Sequence, residues 1–339
     1  MRIFITGATG LVGAHTALAL LRAGHSLRVL ARTPDKAQRW FAEHGVVLDD
    51  VVQGDMTNTA LIEQSLAGCD AVLHAAARVS VDPREGDAVY RSNLAGLDAV
   101  IGSAVRLRVP NIVYVSSMAA LFQPGLPRID ESTPLGQSRE AYIRSKIDCE
   151  KRVREWQAQG APIHTTYPSG VFAPFDPGAN ESTEALKTFL NTMVPITSSG
   201  MQLVDARDLA AIHCYLLEHG APQQPEKARY ISAGHFHPWA DIARLLHEVT
   251  GQRINTFRAP GAVFRFCGWC CDRIRRVMPV RFPMSVESMQ IVTQWSPADS
   301  SRIMQLTGIA FRPTEDTFRD TIRWQVQQQQ LDKRFDPAA

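Results

Sequence analysis

The 339-residue sequence contains no apolar run long enough to span a bilayer, so no transmembrane helix is expected. It contains no block of one charge. Its 36 basic and 34 acidic residues leave a net charge of +2, and no basic arm stands out, so nucleic acid is not expected as a partner. Cysteines are few, six in all, and they lack the two spaced pairs that a structural zinc site needs. Cys267, Cys270 and Cys271 lie in an apolar stretch with Phe264, Phe266 and Trp269. There a thiol reads as a small hydrophobe packed in a helix face, and no metal is expected. Met1-Arg2 leads straight into the strand-like Ile3-Phe4-Ile5-Thr6, which leaves no room for a signal peptide. Reduced thiols without a leader point to the cytoplasm. Internal repeats are absent, and 45% hydrophobic with 21% charged residues describes a globular chain.

What is present alternates. Apolar runs at 2–6, 27–31, 46–53, 71–74, 111–115 and 163–167 read as strands, with helical stretches at 11–23, 36–44, 61–66 and 88–108 between them. Such alternation predicts an α/β fold, a Rossmann-type doubly wound parallel sheet with helices on both faces. After Pro168 the rhythm breaks. Residues 173–200 are rich in turn formers, 201–204 and 229–232 read as further strands around a helix at 207–218, and 238–325 read as mainly helical. The expected organisation is a dinucleotide-binding domain over 1–172, to which 201–233 returns. A smaller, mainly helical substrate lobe follows over 173–200 and 234–325, and a polar tail over 326–339.

Gly7-Ala8-Thr9-Gly10-Leu11-Val12-Gly13 joins the first strand to the first helix. Its glycines allow a tight turn, close approach to a pyrophosphate and close packing of helix on sheet. Free amides at the helix start favour phosphate charge. In NAD enzymes a carboxylate at the end of the second strand takes the ribose hydroxyls. Here that position is Ala31, followed by Arg32, and no acid comes before Asp35. A guanidinium suits a 2′-phosphate, with Lys36 to assist, so NADP(H) is the preferred cofactor and NAD(H) stays open.

Tyr142-Ile143-Arg144-Ser145-Lys146 places a phenol and an ammonium four residues apart on one helix face. The ammonium is expected to lower the phenol's pKa, making Tyr142 a general acid and base for a carbonyl or carbinol oxygen. The strand 112–115 ends in Ser116-Ser117, where a hydroxyl can bind the same oxygen. Asn93 could brace the active-site helix or hold a water in a proton relay.

Over residues 1–325 the sequence resembles the extended short-chain dehydrogenase/reductase superfamily, which includes the NAD-dependent epimerase/dehydratase proteins. The resemblance implies Asn93, Ser117, Tyr142 and Lys146 as a catalytic tetrad, with Lys146 also on the nicotinamide ribose. Ser117 fits the family's spacing to the tyrosine better than Ser116. It further implies Asp55, in Gly54-Asp55-Met56, near adenine; His74-Ala75-Ala76-Ala77 along the cofactor; and backbone contacts from Pro168 to Val171. Arg32, Pro168 and the 204–213 segment with Asp205, Asp208 and His213 resemble the dihydroflavonol-reductase and 3β-hydroxysteroid-dehydrogenase branch. Ala173 departs from that pattern, in which a glycine is frequent before Pro174.

The expected reaction is hydride transfer between the cofactor and a fairly apolar carbonyl or alcohol. A sugar-nucleotide epimerase or dehydratase with bound NAD, and a non-catalytic NADP-binding regulator, are the rival readings. Helices at 88–108 and 141–156 are expected to carry spare apolar faces that pair two copies into a homodimer. The apolar, arginine-bearing stretch 262–277 reads as a substrate lid, a peripheral membrane contact or plain packing.

Overall fold

The computed structural model describes the chain except for residues 81–82, 179, 276–284 and 338–339. β1 (Arg2–Thr6) turns into α1 (Leu11–Arg22), and β2 (Ser26–Ala31), α2 (Pro34–Glu43), β3 (Val51–Gln53), α3 (Thr59–Leu66) and β4 (Ala71–His74) follow. Next come α4 (Gly86–Leu97), α5 (Ser103–Arg106), β5 (Asn111–Val115), α6 (Ala141–Ala158) and β6 (Ile163–Pro168). Local chemistry sets several of these limits. α1 is followed by Gly24 at φ +85°, a left-handed conformation costly for other residues. The Asn58 side chain accepts from the Leu61 amide and starts α3. The helix expected over 88–108 is not regular: a π turn at Asp98–Gly102 separates α4 from α5.

Beyond β6 lie β7 (Gly170–Phe172), α7 (Glu181–Asn191), β8 (Val194–Ile196), β9 (Gly200–Asp205), α8 (Ala206–Glu218), β10 (Arg229–Ser232) and β11 (His235–Pro238). α9 (Trp239–Thr250), β12 (Thr256–Arg258), α10 (Gly261–Arg275), α11 (Val286–Gln294), α12 (Ser301–Thr307) and α13 (Thr314–Gln327) complete the order. The turn-rich composition of 173–200 conceals α7. Its N-cap Asn180 accepts from the Ser182 and Thr183 amides, and its buried positions are only Thr183, Leu186 and Leu190, too few to stand out as a periodic apolar pattern.

The main sheet has seven strands in the order β10-β6-β5-β4-β1-β2-β3, all parallel. β4, β5 and β6 are buried along their whole length, as strands covered on both faces must be. One face packs on α1, α2 and α8 through residues such as Ile5, Val29 and Ile212; the other packs on α3 to α6 through Phe4, Ile112 and Val153. Each fully buried side chain of this kind stabilises the fold by roughly 1.5–3 kcal/mol. The chain leaves β1 for β2 on one side and returns to β4 on the other. The crevice of this switch point opens where Thr6 and His74 end adjacent strands.

The 201–204 strand differs from expectation. β9 lies not in the main sheet but between β7 and β11 in a small second sheet, whereas β10 does extend the main sheet at β6. Two short apolar runs of equal quality say nothing about which edge each will find. The stretch read as a polar tail also differs: Leu331 and Phe335 are buried in one core cluster with Phe318 and Ile322.

The outward surface of α4 and α6 holds another difference. It presents Arg91, Arg144, Lys151 and Arg152 rather than apolar side chains. Arg152 pairs with Asp98, Lys151 with Asp148, and Tyr90 donates to Asp148. The apolar positions of α6 point inward, so the spare apolar face expected there is absent among the described residues. None of the described helices is long and apolar enough to cross a membrane.

Candidate active site

The turn after β1 has three glycines with different physical reasons. Gly7 has φ +84°, and a Cβ there would stand 2.6 Å from the Ala75 carbonyl carbon. A Cβ on Gly13 would stand 2.2 Å from the Gly7 oxygen. Gly10 differs: its φ of −111° suits any residue, and its Cβ would meet nothing nearer than 3.5 Å. It is the N-cap of α1 and no side chain caps that end, so the first-turn amides at Leu11, Val12 and Gly13, with Thr9 beside them, face a site open to an anion. The missing Cβ leaves a cradle that the protein itself does not fill, which fits a pyrophosphate.

Thr6, not singled out in the sequence, links this turn to β4. Its hydroxyl bonds His74 Nδ1 at 2.7 Å and accepts from the Ala76 amide at 3.4 Å. Burial, with the Lys146 charge, holds His74 neutral at a pKa of about 3. His74, Ala76, Ala77, Asn93 and Lys146 border a cavity of about 10 Å³, room for one water.

At the far end of β2, Ala31 is buried and Arg32 exposed. Asp55 accepts from the Thr57 amide and hydroxyl at 3.0 and 2.8 Å, which lowers its pKa, and the Arg32 charge lowers it further. Arg32 and Asp55 are therefore close enough to interact electrostatically. Lys36 instead borders a shallow pocket with Arg39, Trp40, Glu43 and Pro177. The Met56 side chain packs on Gly96 of α4, within 3.0 Å of where a Cβ would be, so only its backbone is free to meet a ligand.

α6 carries the catalytic candidates. Its N-cap Glu140 accepts from the Tyr142 and Ile143 amides, a favourable place for a negative charge. Lys146 is buried, donates to the Val115 carbonyl at 3.3 Å, and lies 6.0 Å from the centre of the Tyr142 ring. Burial lowers the pKa of Lys146. The two serines after β5 part company. Ser116 donates to the buried carboxylate of Glu150 at 3.0 Å, while Ser117 accepts from the Ala119 amide and lies near enough to Tyr142 for its hydroxyl to favour the phenolate.

The phenol does not behave as expected. Burial raises the pKa of Tyr142, the Glu181 carboxylate adds to the rise, and the nearby Ser117 hydroxyl opposes it. The Lys146 ammonium, 6.0 Å from the ring centre, does not outweigh the burial. Asn93 braces the helix rather than touching the phenol. It accepts from the Arg78 amide and donates to the Arg78 carbonyl and to Ser145 Oγ, and Ser145 in turn donates to the Tyr142 carbonyl.

A buried network behind Lys146 went unread in the sequence. Glu150 accepts from Tyr167 at 2.5 Å, from Ser116 at 3.0 Å and from Arg154 at 3.1 Å. It joins the ends of β5 and β6, just before Ser117 and Pro168. The spacing of Glu150, four residues after Lys146 on the same helix, was the available signal. Pro168 pairs with Ser232, and Val171 packs beside Leu11 near the glycine turn.

Other polar and titratable residues have structural partners. His213 is fully buried between Thr16 and Thr166, which bond its two ring nitrogens. Asp205 is the N-cap of α8, and Asp208 holds Arg312 through its amide and guanidinium. His235 and His237 lie in β11, against the Arg312 carbonyl and Thr314. Cys267, Cys270 and Cys271 are half-buried on α10.

A parallel Rossmann-type sheet with a glycine turn and a helix-borne Tyr-x-x-x-Lys pair at its carboxyl end is the frame of an extended short-chain dehydrogenase/reductase. This chain belongs to the NAD dependent epimerase/dehydratase family, whose model matches residues 3–230. The expectation of an NAD(P)-dependent enzyme of the extended type stands with it. A Synechocystis sp. protein with the provisional name dihydroflavonol 4-reductase is 27% identical over 95% of this chain and 93% of its own. The 3-beta-hydroxysteroid dehydrogenase of Mycolicibacterium neoaurum is 24% identical over 89% of this chain and 85% of its own. Among solved structures, UDP-glucose 4-epimerase from Bifidobacterium longum, in complex with NAD+ and UDP, shares the fold. Its TM-score is 0.74 at 18% identity, covering 96% of this chain and 98% of that one.

Proposed function

We propose that this chain is an NADP(H)-dependent oxidoreductase that interconverts a carbonyl and an alcohol on a fairly apolar small molecule, with Tyr142 as general acid and base. The carrying observation is buried Lys146 at 6.0 Å from the Tyr142 ring centre, held by the Val115 carbonyl just before Ser117, at the same sheet end as the glycine turn. The bound cofactor supplies the hydride at nicotinamide C4. In the reduction direction the carbonyl carbon receives that hydride, the carbonyl π pair moves to oxygen, and Tyr142 gives the oxygen its proton. Ser117 orients the oxygen, and Lys146 stabilises the phenolate left behind.

Preference for the phosphorylated cofactor rests on exposed Arg32 following Ala31, where no carboxylate repels a 2′-phosphate. An apolar substrate is supported by the apolar cluster beside the site: Tyr142, Ala119, Leu135 and Ile291 all pack against buried Ala120, Ile143 and Ile147. The relatives named as a steroid dehydrogenase and a dihydroflavonol reductase agree with such a substrate. In this reading 173–200 and 234–325 form the substrate lobe, and the protein is cytoplasmic.

The test is cofactor oxidation against a panel of ketones and aldehydes, with nucleotide sugars beside it. NADPH consumption with an apolar carbonyl, lost in Tyr142→Phe, is the expected outcome. Turnover of a nucleotide sugar on co-purified NAD, without added cofactor, would replace the proposal with an epimerase.

A further inference from the structure

α10 turns an apolar face away from the protein. Phe266 is 62% exposed and Trp269 46%, and Val263 and Ile274 are exposed too. Their spacing puts Val263, Phe266, Trp269 and Arg273 on one helical stripe. The opposite side is locked down. Phe264 is buried, and a Cβ on Gly268 would stand 2.5 Å from the Ser285 carbonyl oxygen, so the helix cannot roll its aromatics inward. The Phe266 and Trp269 rings stack at 5.9 Å, and the Arg273 guanidinium sits over Trp269 at 5.0 Å. Exposed Phe257 and Arg258 in β12 flank α10, with the Phe257 ring edge-on to buried Phe264.

The charge here is mostly positive. Residues 251–275 contain five arginines and one acid, Asp272, whose carboxylate accepts from the Val286 amide. A second copy docking on this face about a two-fold axis would bring arginine to arginine. Aromatic and aliphatic side chains ringed by arginines suit an anionic bilayer surface instead: rings enter the headgroup boundary and guanidiniums meet lipid phosphates. The face is also continuous with the site. α11 links the two, taking the Arg265 hydrogen bond on Thr293 and packing Ile291 against the buried Ala120, Ile143 and Ile147 cluster that Tyr142 also packs against.

We propose that the outer face of α10 docks the protein peripherally on anionic membrane, with Phe266 and Trp269 inserted and Arg273 and Arg258 on the headgroups. Given the reaction proposed above, docking sets the substrate lobe against lipid, where an apolar carbonyl compound is dissolved.

Flotation of the full chain with vesicles tests this without any turnover measurement, so it stands or falls apart from the reaction. Vesicles of phosphatidylcholine with phosphatidylglycerol should carry the protein at low salt and release it at high salt. Pure phosphatidylcholine should carry little. Phe266→Ser with Trp269→Ser should weaken partition by at least about tenfold, and Arg258→Glu with Arg273→Glu likewise. Both double variants change exposed side chains, and unchanged circular dichroism will establish their folding. Absence of flotation, equal flotation on neutral vesicles, or variants that float like the native chain would each overturn the proposal. So would a native dimer that these substitutions split while no vesicle binds, because the face would then belong to a second copy.

Discussion

Replacing Gly10 by alanine separates folding from binding. At this position the backbone is extended, and the new methyl would lie 3.5 Å from the Gly7 oxygen, an ordinary contact. Two small effects on stability oppose each other. Alanine is a poorer N-cap than glycine by about 0.5–1 kcal/mol. It also restricts the unfolded chain, which favours folding by about 0.4–1 kcal/mol. Net stability should therefore stay within about 1 kcal/mol of native. The methyl does, however, enter the space above the α1 amides. Losing one charge-assisted contact to a phosphate costs about 1.5–3 kcal/mol, so NADPH affinity should fall roughly tenfold to a hundredfold. Gly13→Ala makes the contrast, since its methyl would stand 2.2 Å from a backbone oxygen and force the turn apart. That change should cost about 1–3 kcal/mol of stability as well as binding. Urea unfolding and calorimetric titration with NADPH measure the two quantities. Native affinity in Gly10→Ala, or a stability loss equal to that of Gly13→Ala, would refute the reasoning.

Tyr142→Phe should leave folding and NADPH affinity intact and lower turnover by about 10²–10⁴-fold, as single-turnover kinetics will show. Arg32→Asp should weaken NADPH by more than about 1 kcal/mol and NADH little, a difference that paired titrations detect. Glu150→Ala strands the Tyr167 and Ser116 hydroxyls and the Arg154 charge, and should lower unfolding free energy by about 3–5 kcal/mol; a loss under about 1 kcal/mol speaks against the network. Burial holds His74 and His213 at a pKa of about 3 and His164 at about 4, all below the unfolded value. The unfolded chain therefore takes up protons first. Stability should be flat above about pH 7 and fall as pH drops below about 6.5, by up to about 1.4 kcal/mol per pH unit for each histidine. A melting temperature unchanged between neutral pH and pH 5 would contradict those environments.

The parts of the site legible in the sequence are those encoded by neighbours. The glycine turn needs only strand, loop and helix in succession, and Tyr142 and Lys146 share a face because a helix repeats every 3.6 residues. Alternating strands and helices announce a parallel sheet, since parallel strands need crossovers. Arg32 was legible because strand and chain order put it at the end of β2. The serines were harder, for Ser116 and Ser117 differ by one residue, and only the position of Glu150 shows which hydroxyl is already taken.

Thus the sequence by itself determined the class of fold, the turn that can receive a pyrophosphate and the phenol–ammonium pair, because each depends on residues close along the chain. Only the tertiary structure decided that β9 leaves the main sheet, that Asn93 braces α6 through Ser145, and that Tyr142's pKa is raised rather than lowered. It also decided that the surface of α4 and α6 is charged while α10 turns Phe266 and Trp269 outward. These depend on burial and on which distant side chains meet. An apolar pattern shows that a helix has a greasy stripe, but whether that stripe faces a core or the solvent is set by the elements packed around it.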